Sequence, residues 1–133
     1  MTYGDCVSDV DIGELVSFHR EKGAVATVTA VQPPGRYGVL ALADGVRIAA
    51  FFEKPDGERG WINGGFFVLE PSALDAIDGD ESTWEREPLE RLAVGGDVAA
   101  FRHSGFWQPM DTLREQMVLE ELWQSGEPPW KVW

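Results

Sequence analysis

Residues 24–31, AVATVTAV, decide the fold class of this chain. These residues are β-branched or small and largely apolar on both alternating faces, which is typical of a strand buried on both sides beside parallel neighbours. A helical pattern precedes the strand over residues 10–22, with most apolar side chains on one side and Gly23 as a C-cap. Ser8, with Asp11 three positions later, resembles a capping box that begins this helix.

Strands and helices continue to alternate after this strand. The pattern predicts a hairpin over residues 37–42 and 46–53 with its turn at Asp44-Gly45, and a strand over residues 61–69. Two helices follow over residues 71–77 and 83–93, the second with a late start at Pro88. A strand over 98–103, a loop over 106–110 and a helix over 112–123 complete the prediction. The alternation predicts one α/β domain over residues 1–133, with a mixed sheet.

The composition excludes several classes of function. The chain has 133 residues, 23 acidic against 11 basic, and a net charge of −12. This charge argues against nucleic-acid binding and against docking on an anionic membrane. Cys6 is the only cysteine, which excludes an internal disulfide and a cysteine-based zinc site. Without an apolar run of about eighteen residues or a signal-peptide pattern, we expect a cytoplasmic protein.

His19 is expected on a helix surface, and neither histidine belongs to a catalytic spacing.

Two acids stand in loops ahead of predicted helices. Asp5 ends the segment Tyr3-Gly4-Asp5, and Asp111 follows the loop over residues 106–110. Such an acid can project into a crevice and hold Mg²⁺, which takes one or two carboxylates together with phosphate oxygens. The alternative for each acid is a helix cap. If the two carboxylates meet at one crevice, they form a site for one divalent cation.

Three segments carry side chains suited to a sugar phosphate. A lysine at a strand end suits a phosphate, and an acid beside it accepts hydrogen bonds from sugar hydroxyls. An asparagine beside paired glycines offers its amide and an uncovered backbone, and a tyrosine followed by glycine can line a sugar pocket. The candidates are Glu53, Lys54, Asn63, Gly64, Tyr37 and Gly38. The alternatives are a solvated strand end at Glu53-Lys54, a β-bulge at Asn63-Gly64, and a loop entering a hairpin at Tyr37-Gly38.

Taken in order, these segments resemble the sugar-1-phosphate nucleotidyltransferase family. The segments that carry the resemblance are 3–5 (YGD) with 8–9 (SD), 26–38 (ATVTAVQPPGRYG), 53–55 (EKP), 63–68 (NGGFFV), 84–90 (WEREPLE), 105–112 (GFWQPMDT) and 129–133 (PWKVW). The segments 84–90 and 105–112 narrow the resemblance to members that use CTP and glucose 1-phosphate. The similarity spans essentially the whole chain.

The resemblance implies a fold, a reaction and a set of roles. The fold is a Rossmann-like mixed sheet flanked by helices, and the reaction joins CTP and glucose 1-phosphate to give CDP-glucose and pyrophosphate. The implied cofactor is Mg²⁺, and the implied assembly is a homo-oligomer. The implied roles are metal binding by Asp5 and Asp111, sugar and phosphate binding by Glu53 and Lys54, and a hexose pocket lined by Tyr37, Gly38, Asn63 and Gly64.

The sequence departs from the family pattern at two points. The glycine-rich nucleotide loop of the family's N-terminal half is not among these residues, and Cys6 stands where a glycine is expected. We therefore expect the chain to correspond to the C-terminal portion of such an enzyme and to be inactive alone. One alternative is a non-catalytic module that keeps sugar-phosphate or oligomer contacts. Another is a poorly folded fragment whose open sheet edge pairs with a further chain.

Overall fold

The computed structural model describes residues 1–33, 39–42, 48–52 and 60–132, with the backbone alone described over 39–42 and 48–52. The strands are β1 (Cys6–Ser8), β2 (Ala26–Val31), β3 (Val39–Leu42), β4 (Ile48–Phe52), β5 (Ile62–Leu69), β6 (Val98–His103) and β7 (Trp107–Pro109). The helices are α1 (Ile12–Lys22), α2 (Glu87–Gly95) and α3 (Leu113–Gln124), with a 3₁₀ helix over Pro71–Ala76. The structure confirms the mixed α/β class.

Strand β2 lies at the centre of a three-stranded mixed sheet of order β5-β2-β6. It pairs in parallel with β6 from Ala26↔Val98 to Val31↔His103, and antiparallel with β5. All residues of β2 except Val28 are buried. The prediction of a doubly buried strand beside a parallel neighbour is therefore confirmed.

Helix α1 begins later than predicted, and Ser8 does not cap it. Asp11 is the N-cap, and its carboxylate accepts a hydrogen bond from the Glu14 N–H at 2.9 Å. Ser8 belongs to β1 instead, and its hydroxyl donates to the Phe106 carbonyl at 2.8 Å. The predicted capping box is wrong because Asp11, which was assigned to its closing position, is itself the favoured N-cap residue.

The α1–sheet contact contains a buried histidine where the sequence predicted a surface one. Leu15 and His19 lie one helical turn apart on the face that packs against the sheet, and both are buried. His19 Nδ1 lies 2.9 Å from Thr27 Oγ1, and its Nε2 lies 3.2 Å from Glu70 Oε1. The imidazole therefore satisfies a buried threonine hydroxyl and links α1 to β2 and to Glu70, the residue that follows β5.

Two short strands, β1 and β7, form a separate antiparallel ladder with Cys6 opposite Pro109 and Ser8 opposite Trp107. The predicted loop over residues 106–110 is wrong in this part. Three residues are too few to show an alternating pattern, so neither strand is visible in the sequence. Strands β3 and β4 pair antiparallel, which confirms the predicted hairpin. The predicted turn at Asp44-Gly45 lies outside the described residues.

The remaining elements follow the predicted order with shifted ends. The first of the short helices is 3₁₀, and α2 begins only at Glu87, with Pro88 in its first turn. Helix α3 begins after Thr112 and ends at Gln124. None of the helices in the described part of the chain is both long and apolar enough to cross a bilayer.

Candidate functional site

The β1–β7 ladder brings Asp5 and Asp111 to the same end of one small sheet. The Met110 N–H donates to the Asp5 carbonyl at 2.7 Å, which extends the Cys6↔Pro109 register by one residue. Asp111 is the next residue along that strand. Two acids separated by more than a hundred residues in sequence therefore stand at adjacent positions.

Neither acid is a helix cap. Asp11 caps α1, and Thr112 caps α3 in a capping box with Glu115. The Asp111 N–H donates to Glu115 Oε2 at 3.0 Å, so the backbone of Asp111 joins this cap while its carboxylate does not. Asp5 and Asp111 are exposed, and among the described residues their carboxylates have no hydrogen-bond partner. The helix-cap alternative is therefore wrong for both acids.

The donor set suits a hard divalent cation that is shared with a ligand. Among residues 1–33 and 60–132, no group of three or more His, Cys, Asp or Glu side chains is placed to hold a metal alone. Mg²⁺ commonly takes one or two carboxylates and completes its shell with water and phosphate oxygens. Two exposed carboxylates on residues whose backbones lie one ladder position apart fit that pattern.

Strand β5 bulges where it meets this ladder. Its register against β2 shifts between Phe67 and Asn63, and Gly65 has a φ of 80°. The Tyr3 N–H donates to the Gly65 carbonyl at 2.9 Å, and Trp107 Nε1 donates to the Gly64 carbonyl at 2.8 Å. The β-bulge alternative is thus confirmed, and the bulge joins the central sheet to both strands of the ladder.

Asn63 and Gly64 have different surroundings in this bulge. Asn63 is exposed, and its Nδ2 donates to the Tyr3 hydroxyl at 2.8 Å while its Oδ1 accepts from the Gly65 N–H at 2.9 Å. Gly64 is buried, and a Cβ there would lie 2.8 Å from Val31 Cγ1. Asn63 therefore keeps one amide proton without a partner among the described residues, whereas Gly64 permits close packing of the strands.

Tyr3 adds Glu85 to the site, a residue that the sequence analysis did not select. Burial raises the pKa of Tyr3 to about 12, and a hydrogen bond with Glu85 and the charges of Glu85 and Asp5 act in the same direction. The hydrogen bond from Asn63 opposes this shift. Glu85 lies in the segment 84–90, which contributed to the family resemblance. No other feature of the sequence pointed to Glu85.

We predict that Tyr3 stays protonated at pH 10, where an ordinary tyrosine is half ionised. In a Tyr37→Phe background, Tyr3 is the sole remaining tyrosine. Ultraviolet absorbance should then show little tyrosinate in the folded chain at pH 10. The pKa is raised on folding, so its stabilising contribution is complete below pH 10 and is lost as the pH rises towards about 12.

Adding Glu85→Gln should lower this pKa, because it removes the carboxylate that stabilises the neutral phenol. The same chain in urea is the control and should titrate near pH 10. A folded-state midpoint that equals the urea value would contradict the described surroundings of Tyr3.

Cys6 follows Asp5 in the chain, stands opposite Pro109 and packs against the bulge. Its Sγ is 3.6 Å from the Gly64 carbonyl. Burial raises the pKa of the Cys6 thiol, as do the charges of Asp5 and Asp111, against a hydrogen bond with Trp107. The thiol is therefore protonated at neutral pH and is a poor nucleophile.

Four sequence candidates, Tyr37, Gly38, Glu53 and Lys54, lie outside the described residues. Their neighbours along the chain are described, since β3 begins directly after Gly38 and β4 ends directly before Glu53. The four candidates therefore flank the β3–β4 hairpin in sequence, and their roles stay predictions.

The chain is similar to a known protein family and to individual proteins within it. A family model described as nucleotidyl transferase matches residues 1–107. The glucose-1-phosphate cytidylyltransferase of Salmonella typhimurium is 54% identical over 132 residues, which cover 99% of this chain and 51% of that protein. The probable glucose-1-phosphate cytidylyltransferase of Bacillus subtilis is 40% identical over 134 residues, which cover 100% of this chain and 52% of that protein.

Solved structures support the fold. HddC from Yersinia pseudotuberculosis matches with a TM-score of 0.63 at 19% identity, over 90% of this chain and 52% of that chain. A putative glucose-1-phosphate thymidylyltransferase from Bacillus anthracis matches with a TM-score of 0.57 at 18% identity, over 86% of this chain and 50% of that one. The chain spans about half the length of the relatives it matches.

Proposed function

The chain belongs to the nucleotidyl transferase family, and from this premise we propose that it forms the sugar-phosphate and metal-binding half of a glucose-1-phosphate cytidylyltransferase. The observation that carries the proposal is the β1–β7 register, which brings the backbones of Asp5 and Asp111 to within one position of each other at one end of the ladder. The bulge with Asn63 packs against the same ladder. The identity to the Salmonella typhimurium enzyme supports the choice of substrates.

In the proposed reaction, a phosphate oxygen of glucose 1-phosphate forms a bond to the α-phosphorus of CTP. The bond from that phosphorus to the bridging oxygen breaks, and pyrophosphate leaves with the electron pair. Such a transfer needs positioning and charge neutralisation more than a protein nucleophile. The protonated Cys6 thiol agrees with this requirement.

The roles of the site residues follow from their chemistry. Asp5 and Asp111 would hold Mg²⁺, which when bound neutralises phosphate charge close to an otherwise acidic protein. Asn63 would donate its remaining amide proton to a sugar hydroxyl. Glu53, Lys54, Tyr37 and Gly38 would complete the sugar and phosphate contacts, and Gly64 would shape the pocket through close strand packing.

The 133-residue chain is proposed to be inactive alone. It spans about half the length of its relatives, and the nucleotide loop of the family pattern is not among these residues. The same observation supports a second candidate, a non-catalytic module that binds a sugar phosphate or contributes to an oligomer. The two candidates differ in whether a complementary half restores activity.

The experiment is calorimetric titration of the chain with glucose 1-phosphate and with CTP, separately, in the presence of Mg²⁺. We expect glucose 1-phosphate to bind, CTP not to bind, and an assay for CDP-glucose to show no product. A matched titration with EDTA should remove the sugar-phosphate signal. Product formation would overturn the proposed inactivity, and absence of sugar-phosphate binding in a chain folded by circular dichroism would overturn the proposed site.

Addition of the remaining half of the Salmonella typhimurium enzyme then separates the two candidates. Restored CDP-glucose synthesis supports the half-enzyme, because the chain must then supply a working part of the site. Sugar-phosphate binding without any restored synthesis supports the non-catalytic module. Gel filtration identifies the fragment alternative, for which large aggregates are expected.

A further inference from the structure

A contact between His103 and Asp9 closes the end of the β1–β7 ladder that lies away from the two acids. His103 ends β6, and its Nε2 is 2.8 Å from Asp9 Oδ1 and 3.3 Å from the Phe106 carbonyl. Because the Phe106 carbonyl can only accept, His103 Nε2 carries the proton and donates to it. The two side chains are 12% and 31% exposed, so water has limited access to this close contact, in which Asp9 Oδ1 has no hydrogen-bond partner among the described residues.

Backbone contacts reinforce the same point. The Asp9 N–H donates to the Phe106 carbonyl at 3.1 Å, and the Ser8 hydroxyl donates to the same oxygen at 2.8 Å. Gly105 leaves no space for a side chain, because a Cβ there would lie 2.5 Å from Asp9 Oδ1 and 2.7 Å from His103 Cε1. The loop between β6 and β7 is therefore packed tightly onto the residue that follows β1.

The ladder depends on contacts of this kind. A two-stranded sheet is marginal by itself in water, and each strand here has only three residues. A shift of one residue in such a pair exchanges the faces of the side chains and changes which residues are opposite each other. Fixing Asp9 against Phe106 therefore fixes Asp5 against Met110, and with it the position of Asp111.

We infer that the His103–Asp9 pair is a positioning contact that sets the register of β1 against β7 and thereby holds Asp5 beside Asp111 for a divalent cation. The part of this inference that concerns cation binding by Asp5 and Asp111 rests on the proposed function. The part that concerns the register of β1 against β7 does not. His103 acts through the ladder, and in the described contacts it touches neither Asp5 nor Asp111.

The first readout is hydrogen exchange of the Met110 amide, which donates to the Asp5 carbonyl. His103→Ala should speed this exchange about tenfold relative to the amides of β2, because the hydrogen bond to the Phe106 carbonyl and the close contact with Asp9 are both lost. Gly105→Ala should do the same by wedging the contact open. His103→Gln, which retains an N–H donor, should restore slow exchange.

The second readout is Mn²⁺ binding, followed by electron paramagnetic resonance. His103→Ala and Gly105→Ala should weaken Mn²⁺ binding about tenfold, as displaced supports of metal ligands do. His19→Ala is the matched control, because it removes a buried histidine on the α1 side of the sheet. It should lower the denaturation midpoint and leave Mn²⁺ affinity and the local opening at Met110 unchanged.

The outcomes separate this inference from the proposed function. Unchanged Met110 exchange in both His103→Ala and Gly105→Ala, or equal acceleration in His19→Ala, would overturn the inference. Failure of the parent chain to bind Mn²⁺ would overturn the proposed metal site, and the exchange data would still decide whether the pair sets the register. Faster exchange with rescue by His103→Gln supports the positioning role.

Discussion

Asp111→Asn is expected to weaken binding of Mn²⁺ or Mg²⁺ by roughly a hundredfold or more, and Asp5→Asn is expected to do the same. Loss of a supporting hydrogen bond alone commonly costs ten- to a hundredfold in metal affinity, so loss of a ligand charge should reach the upper limit. Either substitution leaves one carboxylate of the Asp5–Asp111 pair. Calorimetry with Mn²⁺ measures the change directly.

The substitutions should not disturb the fold. Thr112 rather than Asp111 caps α3, and Asp11 rather than Asp5 caps α1. Asp75→Asn is the matched control, because it makes the same charge change at an exposed residue of the 3₁₀ helix. It should bind Mn²⁺ as the parent does. Parental Mn²⁺ affinity in both Asp5→Asn and Asp111→Asn would refute the assignment of this acid pair as a metal site.

The elements that could be predicted from the sequence are those whose burial produces a regular pattern of apolar residues. Strand β2 is almost entirely buried at the centre of the three-stranded sheet, and its residues are correspondingly apolar or β-branched. The late start of α2 was visible because proline is tolerated only in the first turn of a helix. In both cases the physical constraint acts on residues that are close together in the sequence, so it is visible in the sequence itself.

The parts that were missed depend on contacts between distant residues. Strands β1 and β7 have three residues each and exist because they pair with one another and are hydrogen bonded to the β5 bulge. His19 looked like a surface residue because its partners, Thr27 and Glu70, lie on other elements. The same limit applies to Asp5 and Asp111, since their meeting is a property of the ladder.

The bulge also accounts for the unexpected Cys6. The family pattern predicts glycine at that position, and a side chain there needs space. Gly64 and Gly65 provide it, since the thiol lies against the Gly64 carbonyl and a Cβ on Gly65 would approach the sulfur to 3.1 Å. The side chain is thus accommodated by the neighbouring strand, on the side of the bulge.

Gly65→Ala is expected to destabilise the chain by about 3 kcal/mol. A left-handed backbone costs an alanine about 1–2 kcal/mol, and overpacking adds about 1–3 kcal/mol. Gly65 has a φ of 80°, and a Cβ there would lie 2.8 Å from Tyr3 Cδ2. Because Tyr3 connects the bulge to the segment that carries Asp5, Mn²⁺ affinity should fall together with the free energy of unfolding.

Gly126→Ala is the control that separates strain from crowding. Gly126 has a φ of 88°, close to that of Gly65, but a Cβ there would have no neighbour within 4 Å. Gly126→Ala should therefore lose only the cost of the left-handed backbone, about 1–2 kcal/mol of unfolding free energy, and should keep the Mn²⁺ affinity of the parent chain. Urea denaturation and calorimetry measure both quantities on each variant. Equal losses of stability in Gly65→Ala and Gly126→Ala would mean that the close contact between the bulge and Tyr3 contributes nothing and that the bulge does not support the acid pair.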